Sequence, residues 1–272
     1  MKHVDVVKAQ FGSQAAEYAK GCFVGDETLD VLLRMVEPRK TDEVLDVATG
    51  AGFMAAALAP LVKEVIASDV TEEMLERADM LFRERGLSNV ITDLVNAEDL
   101  PYADGVFDIV TCRIAAHHFE SARRALKEMA RVLKPGGRLG IADTASPSDK
   151  RIDAFLNEVE KLRDPAHVRN YSEEEWRSLL DDCGLIAESI AHGEFDLDFD
   201  DWIFRAGTSD KRKRQIRKMF LTAPPYIKES LKVREEGGKL KFLNFWIAIG
   251  AKKPVIDQMV SDALTDFSKN DV

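Results

Sequence analysis

Four carboxylates and a pair of histidines stand where apolar runs give way to polar turns, and their spacing points to a nucleoside site. Asp46 lies inside the run "EVLDVA", just ahead of "TGAG", where Gly50 and Gly52 turn the chain toward the alanine-rich start of a helix at Phe53. Glycine lacks a Cβ, so both can take positive φ and let a ligand approach the backbone. The helix behind them aims unpaired N–H groups and a positive dipole end at the same spot. Asp69 closes the next apolar run, "EVIASD". In a doubly wound sheet an acid there accepts hydrogen bonds from both ribose hydroxyls of a nucleotide lying across the strand ends; taken alone it serves equally as a helix N-cap. A third run leads into "NAEDLP", bringing Ala97, Glu98 and Asp99 to the neighbouring strand end, where an adenine amino edge can be met.

Two cofactors suit such a turn. "GAGFMA" satisfies the pattern G-x-G-x-x-G/A, which keeps a nicotinamide dinucleotide open. Asp46 argues the other way, because a buried carboxylate needs donors or a positive charge. S-adenosylmethionine (SAM) carries an ammonium and a sulfonium, whereas a pyrophosphate would be repelled. The alternative for Asp46 is a carboxylate that braces the loop amides.

His117 and His118 follow a fourth run, "FDIVTC". A neutral imidazole there can act as a base or orient an acceptor. Adjacent residues tend to point apart, so at least one of the two is expected to be structural. His167 lies in "RDPAHVRNYS" among Arg163, Asp164 and Arg169. That cluster reads either as a site for an anionic or polar substrate or as a salt-bridged connecting loop.

The elements that must position these residues alternate. Strands are predicted at 44–49, 64–69, 89–95, 107–112 and 138–144, with helices at 53–62, 72–86 and 120–133 between them. Strand, helix and strand at this spacing imply right-handed crossovers and a parallel sheet. Beyond about residue 145 the rhythm changes to helices, a strand over "LIAESIAHGEFDL", a charged helical stretch at 200–234 and a long apolar strand at 239–253. Aromatic residues gather between Phe195 and Trp246. A connection as long as 200–234 between two hairpin strands reads as a lid over an acceptor cavity, shaped by Trp202, Phe204 and Phe220. The alternative is that these rings form a satellite core.

Four segments in order, "VLDVATGAG", "VIASDVTEEMLERA", "NAEDLPYADGVFDIVTCRIAAHHF" and "EMARVLKPGGRLGIAD", resemble class I SAM-dependent methyltransferases, and among them the type-11 group that includes the ubiquinone and menaquinone biosynthesis methyltransferases. The resemblance covers residues 40–145 densely. It implies a Rossmann-like, seven-stranded, mostly parallel sheet with an antiparallel last strand and helices on both faces. SAM is the implied cofactor, with no metal. The turn of Ala48, Thr49, Gly50 and Gly52, with Asp46, would hold the methionine moiety. Asp69, flanked by Val70 and Met74, would hold the ribose, Ala97, Glu98 and Asp99 would meet the adenine, and Arg113 would add a contact at the fourth strand's end. "FGSQAAEYAKG" resembles the family's cofactor-covering helix, with Phe11 and Tyr18 as contacts. His117 and His118 would be the catalytic pair, and His167, Arg169, Trp202 and Phe220 would serve the substrate.

The totals agree with that picture. The chain has 272 residues, 45% of them hydrophobic, and a net charge of −10, which argues against nucleic acid or an anionic membrane as partner. The basic run "KRKRQIRK" has helical spacing and reads as a solvated face. Cys22, Cys112 and Cys183 sit among apolar neighbours without metal-ligand spacing. No signal peptide or membrane span is expected, so the reading is cytoplasmic. The expectation is one domain over 1–253, with covering helices within 1–37, the 200–234 insertion and a tail at 254–272. Its activity would be methyl transfer from SAM to a small-molecule acceptor. The rivals are an NAD-dependent oxidoreductase and a non-catalytic SAM-binding regulatory protein.

Overall fold

Apolar runs without polar alternation demand strands covered on both faces. The computed structural model, which describes residues 2–18 and 27–255 with the side chains of 16–18 left out, gathers them into one sheet. Its strands are β1 (Glu43–Val47), β2 (Glu64–Asp69), β3 (Val90–Leu94), β4 (Phe107–Arg113), β5 (Leu133–Ala145), β6 (Ile186–Asp198), β7 (Arg234–Glu236) and β8 (Lys239–Lys252). They run in the order β3-β2-β1-β4-β5-β8-β6. The first five pair in parallel, and β8 lies antiparallel between β5 and β6.

The expected seven-stranded sheet with its antiparallel last strand is present, with β7 added as a short eighth strand on β8. Gly237 and Gly238, at φ 60° and 76°, make the two-residue turn between β7 and β8, and consecutive left-handed residues are what such a hairpin demands. "EEGGK" carried that signal in the gap between the stretch read as helix, 200–234, and the strand read from 239.

One face of the sheet is covered by α2 (Glu27–Val36), α3 (Phe53–Leu58) and α4 (Glu72–Glu84), whose Leu32, Met54, Leu58 and Ala78 pack on Val44, Val65 and Ile109. The other is covered by α5 (Ala122–Val132) and α7 (Glu173–Asp181), whose Leu126, Met129, Trp176 and Leu180 pack on Leu45, Val110, Leu139 and Ile249. Successive residues of β1 thus point to opposite cores. The strand order reverses between β1 and β4, which leaves a crevice beyond their carboxyl ends.

The connection from β6 to β8 carries α8 (Phe199–Arg205), α9 (Asp210–Thr222) and α10 (Pro225–Ser230). Here the structure corrects the lid reading. Trp202 and Phe220 are buried in a third core with Leu156 of α6 (Lys150–Arg163) and Phe242 of β8, with ring centroids 5.0 Å (Trp202) and 4.5 Å (Phe220) from that of Phe242. Phe199, Trp202 and Ile203, like Ile216 and Phe220, fall on the inward stripes of their helices, which is how an added helical layer satisfies its apolar faces. Phe204 lies off the stripe and is 73% exposed. In the basic run, Lys213 and Arg217 pair with Asp200 while Lys211, Arg212, Arg214 and Lys218 face outward.

Truncating either ring would empty a packed site, so Trp202→Ala and Phe220→Ala should each cost about 3–5 kcal/mol of stability. Urea unfolding checks the loss, and titration calorimetry on the surviving folded protein should give unchanged cofactor affinity. A variant with full stability and altered ligand affinity would contradict the assignment to a core.

Candidate active site

The turns after β1, β2, β3 and β4 converge on a cavity of about 330 Å³ at the reversal of strand order, within the size range of small-molecule sites. Two of them hold strained backbone. Ala48, just past β1, and Ile114, just past β4, both have φ of 53°, and for a β-branched residue this is a true outlier. Both line the cavity, and strain of this kind collects where a site over-determines the chain. The two glycines of the turn have separate tasks. Gly50, at φ 56°, lines the cavity, and a Cβ there would meet nothing within 4 Å. Gly52, at φ 86°, lies outside the lining; a Cβ there would sit 2.7 Å from Phe82 and 2.9 Å from Ala78. Gly52 is therefore required by its left-handed backbone and by the approach of α3 to α4.

Asp69 faces the cavity and ties two of its loops together: Oδ2 accepts the Gly50 N–H at 2.9 Å, and Oδ1 accepts the Thr71 N–H at 2.9 Å. Burial pushes this carboxyl above its ordinary value, and the two amides pull it back. Each oxygen can still accept another hydrogen bond. Val70, Met74, Thr49, Ala97, Arg113 and Phe53 complete much of the wall. Glu98 lines it too, held by the Ser121 N–H at 3.1 Å and Arg124 at 3.0 Å.

Asp46 is placed otherwise. Its oxygens accept the hydroxyls of Thr49 at 2.6 Å and Thr111 at 2.7 Å, and it lies behind the turn, outside the lining. The bracing reading is the one observed, because neutral donors from β4 and the loop satisfy the carboxylate. Burial raises its pKa to about 6. Asp99 is exposed and turned away, its backbone engaged in a turn with Asn96.

Helix α1 (His3–Tyr18) roofs the cavity with Val4, Val7 and Phe11. His3 Nε2 lies 2.7 Å from the His118 carbonyl oxygen, and Phe11 meets the His118 ring edge-on at 4.8 Å. The side chain of Tyr18 and the whole of Cys22 lie outside the described residues. The histidine pair divides as adjacent residues do: His118 lines the cavity, and His117 points into the protein, with Nδ1 2.5 Å from Asp143 Oδ1. His167 is buried beside His117, bonded to Asn157 at 3.3 Å, and burial lowers its pKa to about 2. Arg169 is taken by Asp153 and Glu175. Neither reaches the cavity, and neither do Trp202 and Phe220; the loop reading of the 163–169 cluster is the one the structure favours.

The methyltransferase domain profile matches residues 45–141, the segment that builds these four turns. The uncharacterized methyltransferase YcgJ of Bacillus subtilis (strain 168) is 41% identical over 194 residues, which span 71% of this chain and 77% of that protein. The chain belongs to the methyltransferase family. The crystal structure of YcgJ superposes with a TM-score of 0.81 over 85% of this chain and 99% of that one, at 36% identity. The ubiquinone/menaquinone biosynthesis C-methyltransferase UbiE of Serratia proteamaculans (strain 568) is 34% identical over half of this chain and 59% of its own length. Geranyl diphosphate C-methyltransferase of Streptomyces coelicolor A3(2), solved with S-adenosyl-L-homocysteine, shares the fold at 14% identity and a TM-score of 0.59, over 84% of this chain and 78% of its own.

Several residues of the methyltransferase's site escaped sequence reading. Ile114 and Phe119 line the cavity as ordinary apolar residues, and Lys2 and His3 reach it only because α1 folds back. Asp143 had a legible signal, since it is an acid near the carboxyl end of a buried strand, as Asp69 is.

The raised Asp46 pKa has a consequence for stability. The carboxyl titrates near 3.8 when unfolded and near 6 when folded, so between those values the folded state holds the extra proton and stability falls as pH rises. Relative to Asp46→Asn, the wild type should lose about 3 kcal/mol between about pH 4 and about pH 7. Urea unfolding of both proteins at the two pH values measures it; a constant difference would mean that Asp46 is ionised throughout.

Proposed function

We propose that this methyltransferase uses SAM as methyl donor and methylates a small molecule within the cavity. The observation that carries the reading is Asp69 at the end of β2, facing the cavity beside the open backbone of Gly50 with acceptor capacity to spare. That arrangement suits a ribose diol, and the apolar wall of Phe53, Val70 and Met74 with the Glu98 carboxylate suits an adenosine framed by a cationic methionine tail. SAM, when bound, supplies an electrophilic methyl on sulfur. The protein's part is to align the acceptor, exclude water through α1 and receive a proton if the acceptor carries one.

The nicotinamide alternative fits less well. Asp69 takes up the Gly50 amide that a pyrophosphate would need, and β8 enters antiparallel where a dinucleotide fold continues in parallel. We assign the cofactor contacts to Phe11, Ala48, Thr49, Gly50, Asp69, Val70, Met74, Ala97, Glu98 and Arg113, within one domain over 1–253.

Calorimetric titration of the whole chain with SAM, S-adenosylhomocysteine and NAD should give binding only with the first two. Charge-assisted hydrogen bonds contribute roughly 1.5–3 kcal/mol, so Asp69→Ala should weaken SAM at least about tenfold. Unchanged SAM affinity in a folded Asp69→Ala protein, or tight NAD binding, would overturn the assignment. Methyl transfer itself is read as S-adenosylhomocysteine released with candidate acceptors.

A further inference from the structure

Behind the cavity wall, β5, the histidine turn after β4 and the loop after α6 close a ring of hydrogen bonds around the two adjacent histidines. Asp143, fully buried at the end of β5, accepts the His117 backbone N–H at 2.8 Å through Oδ2 and faces His117 Nδ1 at 2.5 Å through Oδ1. The His117 carbonyl accepts the N–H groups of Val168 at 2.8 Å and Arg169 at 3.2 Å, which fixes the loop after α6. That loop is also held by Asp164, which accepts the Ala166 N–H at 2.8 Å. The Ala166 carbonyl then stands 3.1 Å from His118 Nδ1 and closes the ring.

A carbonyl oxygen only accepts, so His118 Nδ1 must carry a proton. In a neutral ring the lone pair then belongs to Nε2, which has no hydrogen-bond partner among the described residues, on a side chain that lines the cavity. Neutrality has its own cause. The His117 and His118 rings lie 3.9 Å apart, and Asp143 makes His117 the one that takes the charge. Burial and the Asp143 carboxylate oppose each other at His117 and the carboxylate wins, while burial, His117, His167 and Arg163 hold His118 well below the usual histidine range. The other charged groups lining the same cavity are Lys2, His3, Asp69, Glu98, Arg113, Glu120 and Arg124.

Building on the methyl-transfer reading above, we propose that Asp143 and His117 are positioning residues that hold His118 as the neutral Nδ1–H tautomer, with Nε2 as the proton acceptor offered to the methyl acceptor. As the acceptor's bond to the methyl carbon forms and the carbon–sulfur bond breaks, with its electron pair left on sulfur, the acceptor's proton passes to Nε2 and from there to water. An oxygen or ring-carbon acceptor becomes strongly acidic at that moment, so a weak base suffices. An ammonium would hold its proton more tightly than His118 could take it.

Long-range proton–nitrogen correlation spectra of the whole ¹⁵N-labelled chain, recorded without ligand, test this independently of cofactor binding. The five histidines are sorted by the signal lost in His118→Gln. His118 should show the Nδ1–H neutral pattern from about pH 8 down to about pH 5 without titrating. In Asp143→Asn and in His117→Gln it should populate the Nε2–H form and titrate nearer the ordinary value. If Asp143→Asn does not fold, His117→Gln makes the same comparison. A wild-type His118 that is Nε2-protonated or titrates near the ordinary histidine value overturns the proposal, as does a His118 signal unchanged in the folded variants. Calorimetry with S-adenosylhomocysteine on the same samples reports separately on the cofactor reading.

Discussion

A carboxylate withdrawn from water must find donors, and that requirement shapes this enzyme's site. Three of its parallel strands carry a buried acid near their carboxyl ends: Asp46 on β1, Asp69 on β2 and Asp143 on β5. Each draws donors from more than one segment of the chain, and Asp46 and Asp69 share the turn after β1. Asp46 takes the hydroxyls of Thr49 and Thr111, Asp69 the amides of Gly50 and Thr71, and Asp143 the amides of His117 and Thr144 with the His117 ring. An unpaired buried charge would be several times costlier than the bonds are individually worth, so the loops are held firmly where a helix cap alone would leave them to fray.

The same bonds leave the cavity its chemical character. Because Asp46 is satisfied from behind, its charge does not open onto the cavity, whereas Asp69 keeps lone pairs on the open side. Because Asp143 captures His117, only His118 meets the cavity. The strain at Ala48 and Ile114 fits this picture, since two adjacent strands must each reverse within a residue for their turns to face each other. Far from this centre, the helices between β6 and β8 bury their aromatic rings against α6 and β8 and extend the fold with a core of their own. They meet the surroundings of the site through Gln10 of α1, which donates to the Ala206 carbonyl at the end of α8, and through Arg163 at the end of α6, which donates to the Trp202 carbonyl and accepts the Thr208 hydroxyl.

What the sequence determined by itself was local and periodic. The uninterrupted apolar runs specified a sheet covered on both faces, and the glycine turn and the strand-end acids marked the strand ends at which the cavity opens. Such features depend on neighbours a few residues away, and so they can be read from a string. Tertiary structure alone decided which member of each local pair faces the cavity. Gly50 and Gly52 are alike in sequence, but only the fold brings Phe82 and Ala78 against one and a cavity against the other. His117 and His118 are likewise distinguished by Asp143, 26 residues from His117, whereas Trp202 and Phe220 are both drawn inward by Phe242, which β8 brings beneath them. Orientation is settled by which partner arrives from a distant part of the chain, and hydrophobic pattern carries no record of that partner until the sheet has closed.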